Sequence, residues 1–234
     1  MQTEEESLPP ALYVVGTPIG NRAELSPRAA AILSRVDVIA CEDTRHTRRI
    51  LPEDTDAPLI PCHEHNENTV APALAERVAR GERVALVTDA GMPGISDPGF
   101  RAVRACRARG LAVTPVSGPC ALVDALAVSG LPTDAFLFLG FLPPKTAARR
   151  RIFTEHADAP YTLVFYESTH RILKALADIE ETLGKERCVC VARELTKRHE
   201  TVVTAPVAAA REAVARGSQK GEFVVLVAKK DYVL

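Results

Sequence analysis

Several clusters of charged residues follow short apolar runs, where an open α/β sheet presents its ligands. Cys41-Glu42-Asp43-Thr44-Arg45-His46 follows the run at 37–41. Two adjacent acids offer a proton acceptor, and the arginine and histidine suit an anionic substrate such as a nucleic-acid phosphate. The same residues could instead start a helix, with Asp43 or Thr44 as its cap and Arg45, Arg48 and Arg49 on its exposed face. Cys62-His63-Glu64-His65-Asn66-Glu67 follows in the chain. On extended backbone His63 and His65 share a face, which suggests a metal. No third or fourth ligand stands at motif spacing, so no metal is expected; RNA contact, acid–base work or local capping remain. Tyr166-Glu167-Ser168-Thr169-His170-Arg171 and Ala192-Arg193-Glu194-Leu195-Thr196-Lys197 follow two later runs and read either as site residues or as helix starts. Lys145 with Arg149, Arg150 and Arg151 makes a short basic patch, either a solvated helix face or an RNA contact.

Three loops could hold a small charged molecule. Gly16-Thr17-Pro18-Ile19-Gly20-Asn21 is neither a dinucleotide fingerprint nor a P-loop, and reads equally as a turn or a binding loop. The segment 89–99 carries Ala90, Gly91, Met92, Pro93, Gly94, Ile95 and Ser96 between Asp89 and Asp97-Pro98-Gly99. It is far longer than a connection needs, and its glycines expose backbone to a ligand. Ser117-Gly118-Pro119-Cys120-Ala121-Leu122 opens a helix whose free N–H groups could bind an anion, unless Ser117 simply caps it.

Elements must place these loops on one edge. Strands are expected at 12–16, 37–41, 83–88 and 111–116, with helices at 27–35, 67–80, 98–109 and 120–128. Ser26 with Pro27, and Gly110, carry the usual start and stop chemistry, and Asn66 is expected to cap its helix. Beyond 135 the reading gives strands at 136–141, 161–166, 187–192, 201–204 and 223–228, helices at 171–183 and 207–216, and a basic helix after Leu142-Pro143-Pro144-Lys145. This alternation points to parallel-sheet α/β architecture. The expected organisation is a disordered tail over 1–10, one α/β domain over 11–117 and a second over 118–234.

The chain of 234 residues is 47% hydrophobic and 25% charged with net charge −1, which suits a globular protein and excludes a basic coat for nucleic acid. Six cysteines without a C-x-x-C pair read as reduced core thiols of a cytoplasmic protein. Met1 to Pro10 lacks the basic and apolar regions of a signal peptide, and no apolar run approaches the roughly 20 residues of a membrane span.

In order, LYVVGTPIGN, ACEDTRHTRRIL, HEHNE, VALVTDAGMPGISDPG, SGPCAL, SGLPTDAFLFLGFLPPK, FYESTHR, ARELTK and KGEFVVLV closely resemble a branch of the tetrapyrrole-methylase superfamily, over residues 12–228. That branch methylates the ribose 2′-hydroxyl of a cytidine in the decoding region of small-subunit ribosomal RNA. The resemblance implies two α/β domains with S-adenosylmethionine in the cleft between them, and a homodimer. It implies donor contacts at Pro18, Ala90–Ser96, Pro119, Cys120, Ala121, Leu122, Phe165, Tyr166, Ala192, Gly221, Glu222 and Phe223. Met92, Cys120 and Thr169 depart from the threonine, serine and proline the family usually carries. The chain also stops at Leu234, earlier than family members usually do, and the expected consequence falls on RNA affinity.

A ribose hydroxyl needs a base, and the candidates are Asp43, Glu42, His65 and Glu167, in that order. Arg45, Arg193 and Lys197 are expected to hold flanking phosphates of the RNA in an assembled 30S subunit, with His46, His63, Asn66, Arg171, Lys145 and Arg149 as further RNA contacts. The alternatives are a methyltransferase of corrin or porphyrin precursors on the same fold and a non-catalytic protein that binds the donor or RNA. A macrocycle wants an apolar cleft, whereas this chain has 5% aromatics, no tryptophan and polar loops.

Overall fold

The computed structural model describes residues 8–234. Most of the tail expected to be disordered, residues 1–7, lies outside the described residues. The rest of it is tied down: Leu8 packs on the first core, and the Tyr13 hydroxyl donates to the Pro9 carbonyl at 2.6 Å. The chain forms two compact units, dividing between Cys120 and Ala121.

The first unit is a five-stranded sheet in the order β3-β2-β4-β1-β5, with every pairing parallel. Its strands are β1 (Ala11–Val15), β2 (Val38–Cys41), β3 (Leu59–Pro61), β4 (Arg83–Leu86) and β5 (Val113–Val116). Both faces are covered, so the central strands are continuously apolar rather than alternating. Leu12, Val14, Val38, Val84 and Leu86 pack against helices α3 (Glu67–Ala79) and α4 (Phe100–Ala108). Tyr13, Val15, Ile39 and Ala85 pack against α1 (Pro27–Leu33). The Ser26 side chain caps α1 as expected, accepting from the Ala29 N–H at 3.0 Å, with Pro27 beginning the helix. A short helix α2 (Thr44–Ile50) follows β2. Asn66 does not cap α3: its Oδ1 accepts from the His63 N–H at 2.8 Å and its Nδ2 donates to the Pro61 carbonyl at 3.0 Å. Helix α4 starts two residues later than expected, because Gly99 takes φ +141° and the Pro98 carbonyl is bound by the Gly94 N–H.

The second unit contains α5 (Ala121–Val128), β6 (Phe136–Phe141), α6 (Thr146–Glu155), β7 (Thr162–Ser168), α7 (Ile172–Leu183), β8 (Cys188–Arg193), β9 (Thr201–Pro206), α8 (Val207–Arg216) and β10 (Glu222–Val227). Its sheet runs β6-β7-β10-β8-β9 and corrects the expectation of parallel pairing throughout. Only β6 and β7 are parallel; β7 with β10, β10 with β8 and β8 with β9 are antiparallel. The link from β8 to β9 has no helix, so those strands return as an antiparallel pair. One face carries Leu163, Phe165, Val189, Val191, Phe223 and Val225 against Phe153, Leu176 and Ile179 of α6 and α7 and against α8. Helix α5 packs against β7 and β10.

Arg149 belongs to this interior, which corrects the RNA contact expected of it. It is 1% exposed; Nε and Nη2 donate to Asp178 at 2.9 and 2.6 Å, and Nη1 donates to the Pro144 carbonyl at 2.7 Å. Arg150 also binds Asp178, at 2.8 Å, and of the expected basic patch Lys145 and Arg151 stay exposed.

Candidate functional site

Because every strand of the first sheet is parallel, the loops after β1, β2, β3, β4 and β5 share one edge, the usual ligand edge of open α/β sheets. Three of them lock together. Thr17 and Gly91 exchange backbone hydrogen bonds at 3.0 and 3.1 Å, and the Thr17 hydroxyl donates to the Thr88 carbonyl at 3.1 Å. A Cβ on Gly16 would lie 2.7 Å from the Gly118 Cα and 2.6 Å from the Met92 sulfur. The loops after β1 and β5 therefore touch backbone to backbone, which no other residue pair allows.

The long loop after β4 is strained. Gly91 and Gly94 sit at φ +86° and +84°, and Ser96, with a side chain, at +63°. Such conformations persist where surrounding structure holds them, often at functional sites. The far end is held by Glu67, which is 6% exposed. Its Oε1 accepts from the N–H groups of Gly99 at 2.9 Å and Arg101 at 2.8 Å. Gly99 cannot cap α4 with a side chain, so a carboxylate from the start of α3 does so, where the helix dipole favours it. Sequence reasoning missed this role; an uncapped helix start after a buried acid was the available signal.

Beside this loop the acids divide. Asp43 caps α2: its Oδ1 accepts from the Arg45 N–H at 2.8 Å, and its Oδ2 from Arg45 Nη2 at 2.7 Å. Those hydrogen bonds hold its carboxyl far below the usual range. An acid so stabilised as an anion is a poor base, which removes Asp43 from first place. Glu42 is half-buried and its pKa is raised, first by burial and then by the charge of Asp89. It hydrogen-bonds the Asp89 backbone, while the Asp89 Oδ1 accepts from the Asp43 N–H at 3.1 Å. Asp89 is thus a second residue the sequence did not single out. The buried Nδ1 of His63 has no hydrogen-bond partner, and its ring meets that of His65 edge-on at 5.9 Å. His65 and Arg45 are largely solvent-exposed, and His46 is exposed as well. Among the described residues no cluster of three His, Cys, Asp or Glu could hold a metal ion. Five cysteines are buried, which pushes the Cys62 thiol up to about 11.

In the second unit Tyr166, Val224 and Ala192 stand in one row across β7, β10 and β8. Phe165 and Phe223 point the other way, into the core, so their backbone alone is available to a ligand. Glu167 shares that inward face and is 1% exposed. Its Oε1 pairs with Arg171 Nε at 2.8 Å, and Arg171 also donates to the Leu142 carbonyl at 3.0 Å. Burial against its own cation corrects the expectation that Glu167 serves as a base and Arg171 as an RNA contact. Arg193 donates to the carbonyls of Lys220 and His199 at 2.7 and 3.0 Å. Lys197 binds Glu194 and Glu222 at 3.0 and 2.8 Å.

The residues of the first edge fit S-adenosylmethionine. The Thr88 hydroxyl is buried without a hydrogen-bond partner beneath a backbone-exposing loop, and Glu42 and Asp89 offer negative charge to a cationic donor.

A parallel α/β unit followed by a mixed-sheet α/β unit, with a long strained loop after β4, is the tetrapyrrole-methylase architecture. The solved methyltransferase CobJ has the same fold, with a TM-score of 0.68 at 22% identity and 94% of each chain covered. The family model for Tetrapyrrole (Corrin/Porphyrin) Methylases matches residues 11–211, and the chain belongs to that family. It is 51% identical over 224 residues to a Ribosomal RNA small subunit methyltransferase I of Xylella fastidiosa (strain Temecula1), covering 94% of this chain and 82% of that one. The relative of the same name from Pseudomonas aeruginosa is 49% identical over 220 residues, covering 93% and 78%. The protein is a methyltransferase, and its family implies S-adenosylmethionine as the methyl donor. No described helix is long and apolar enough to cross a membrane.

Proposed function

We propose that this protein transfers a methyl group from S-adenosylmethionine to the ribose 2′-hydroxyl of a cytidine in the decoding region of small-subunit ribosomal RNA, acting in the cytoplasm on the 30S subunit and as a homodimer. The observation that carries the RNA substrate is the likeness to relatives named for it over 94% of the chain. The polar edge of the first sheet supports it, since acids and exposed cations suit a ribose and its phosphates better than an apolar macrocycle.

The donor, when bound, supplies a methyl already activated on a sulfonium. The loops at Pro18, Ala90–Ser96 and Pro119–Leu122, with Tyr166, Ala192 and Gly221–Phe223, would hold it largely through backbone. Glu42 takes the proton from the ribose oxygen, because its raised pKa brings its basicity closer to that task than a stabilised anion like Asp43. Asp89 positions Glu42, and His46, His63 and Arg45 face the RNA.

The test is tritium transfer from labelled donor to naked small-subunit RNA and to small subunits from cells lacking this protein. Label in an alkali-resistant dinucleotide is the expected result. Label on a base, or on neither substrate while the donor binds, would overturn the reading.

A further inference from the structure

Three motifs of the second unit are tied together where β7 and β8 end and β10 begins. The Thr169 hydroxyl donates to the Gly221 carbonyl at 2.7 Å and accepts from the Gly221 N–H at 3.0 Å. One side chain thus satisfies both polar groups of a single residue, which a hydroxyl can do because it donates and accepts at once. The neighbouring residues are anchored as well. The Lys220 carbonyl accepts from Arg193 at 2.7 Å, and the Glu222 N–H donates to Glu194 at 3.1 Å.

Gly221 needs such a hold. It adopts φ +117°, and a Cβ there would lie 2.6 Å from the Glu194 side chain, so the position admits only glycine. A glycine brings no side chain to fix itself. Glu194 beneath it is also in left-handed backbone, at φ +53°. The bonds to Thr169 are therefore the side-chain restraint on Gly221 from the β7 side.

We infer that Thr169 is a positioning residue for the methyl donor: by clamping Gly221 it sets the start of β10 beside Tyr166 and Ala192. The inference rests on the donor assignment above.

The experiment compares the unchanged full chain with Thr169→Val, which keeps the shape and removes the hydroxyl, and with Thr169→Ser, which restores it. Donor affinity is read by calorimetry, KM for donor and for RNA by methyl transfer, and the Gly221–Phe223 amides by hydrogen exchange. Thr169→Val should exchange faster at Gly221 and bind the donor about tenfold more weakly, as expected when a hydrogen-bonded group is left unpaired. Its KM for RNA should stay unchanged, and Thr169→Ser should behave like the unchanged protein. Unaltered exchange in Thr169→Val overturns the clamp. Faster exchange with unaltered donor affinity overturns the positioning role. If the unchanged protein binds no donor, the donor assignment falls and the positioning role with it, while exchange still decides whether the clamp exists.

Discussion

The ligand edge of the first sheet and the corresponding loop cluster of the second sheet are built on opposite principles. At the first edge polar groups are left with capacity to spare. Glu42 is half-buried with a raised pKa, and the Thr88 hydroxyl and His63 Nδ1 lack partners. In the second unit Arg193, Lys197, Thr169 and Glu194 are each bound to neighbours, while Glu167 Oε2 and Thr196 Oγ1 are buried without a partner. Unsatisfied buried groups cost free energy, so they are tolerated where a substrate completes them. Charged motifs of similar look are therefore held differently: Glu42 at the first edge has a raised pKa, whereas Arg193 and Lys197 in the second unit are tied to neighbouring carbonyls and carboxylates.

The sharpest way to break this comparison is at Glu42. Glu42→Gln should lower kcat by about 10²–10⁴-fold. Asp43→Asn should lose far less, and an equal loss would return the base to Asp43. In the unchanged protein kcat/KM should climb with pH through a value raised from that of an ordinary glutamate, because a raised pKa delays formation of the basic anion. Glu42→Gln should flatten that limb.

A free-energy change of similar size, in stability rather than rate, tests the holding role. Asp178→Ala strands Arg149 in the core of the second unit and should cost about 3–5 kcal/mol, read as a lower urea midpoint. Donor affinity below the transition should survive. An unchanged midpoint would mean Arg149 finds water instead.

The smallest effect lies at the opposite edge of the first sheet, where β2 and β4 begin. There Arg83 forks onto Asp37 at 2.9 and 2.6 Å. Hydrogen bonds from Arg83 draw Asp37 from 3.8 to about 2. A depressed carboxylate stabilises above its unfolded pKa, and the benefit fades as pH falls from 3.8 through about 2. Both side chains are about a third exposed, so solvent screening keeps Asp37→Asn to about 0.2–1 kcal/mol near neutrality. The two proteins should converge in stability as the pH falls below about 2 in acid titrations followed by circular dichroism.

Much of the first unit was legible because its signals are local. Ser26-Pro27 starts a helix and Gly110, at φ +68°, follows the end of α4, by chemistry confined to a few residues. The antiparallel pairings of β8, β9 and β10 were not legible, since strand partners are chosen by distant packing. Arg149, Arg150 and Arg151 look alike in sequence, yet Arg149 lies one turn from buried Phe153 and goes inside with it. Glu167 likewise continues the two-residue period of Leu163 and Phe165 onto the core face. The reversal between Asp43 and Glu42 depended on where one guanidinium folds back, which composition does not encode.

The reach of Glu67 across 32 positions to Gly99 ties the end of the strained loop and the head of α4 to the start of α3. Neither can loosen alone: fraying the first turn of α4 frees Gly99, and with it the anchor of the loop. The two should therefore open as one cooperative unit, with a shared exchange lifetime, and whatever occupies the loop should be felt as protection along α4.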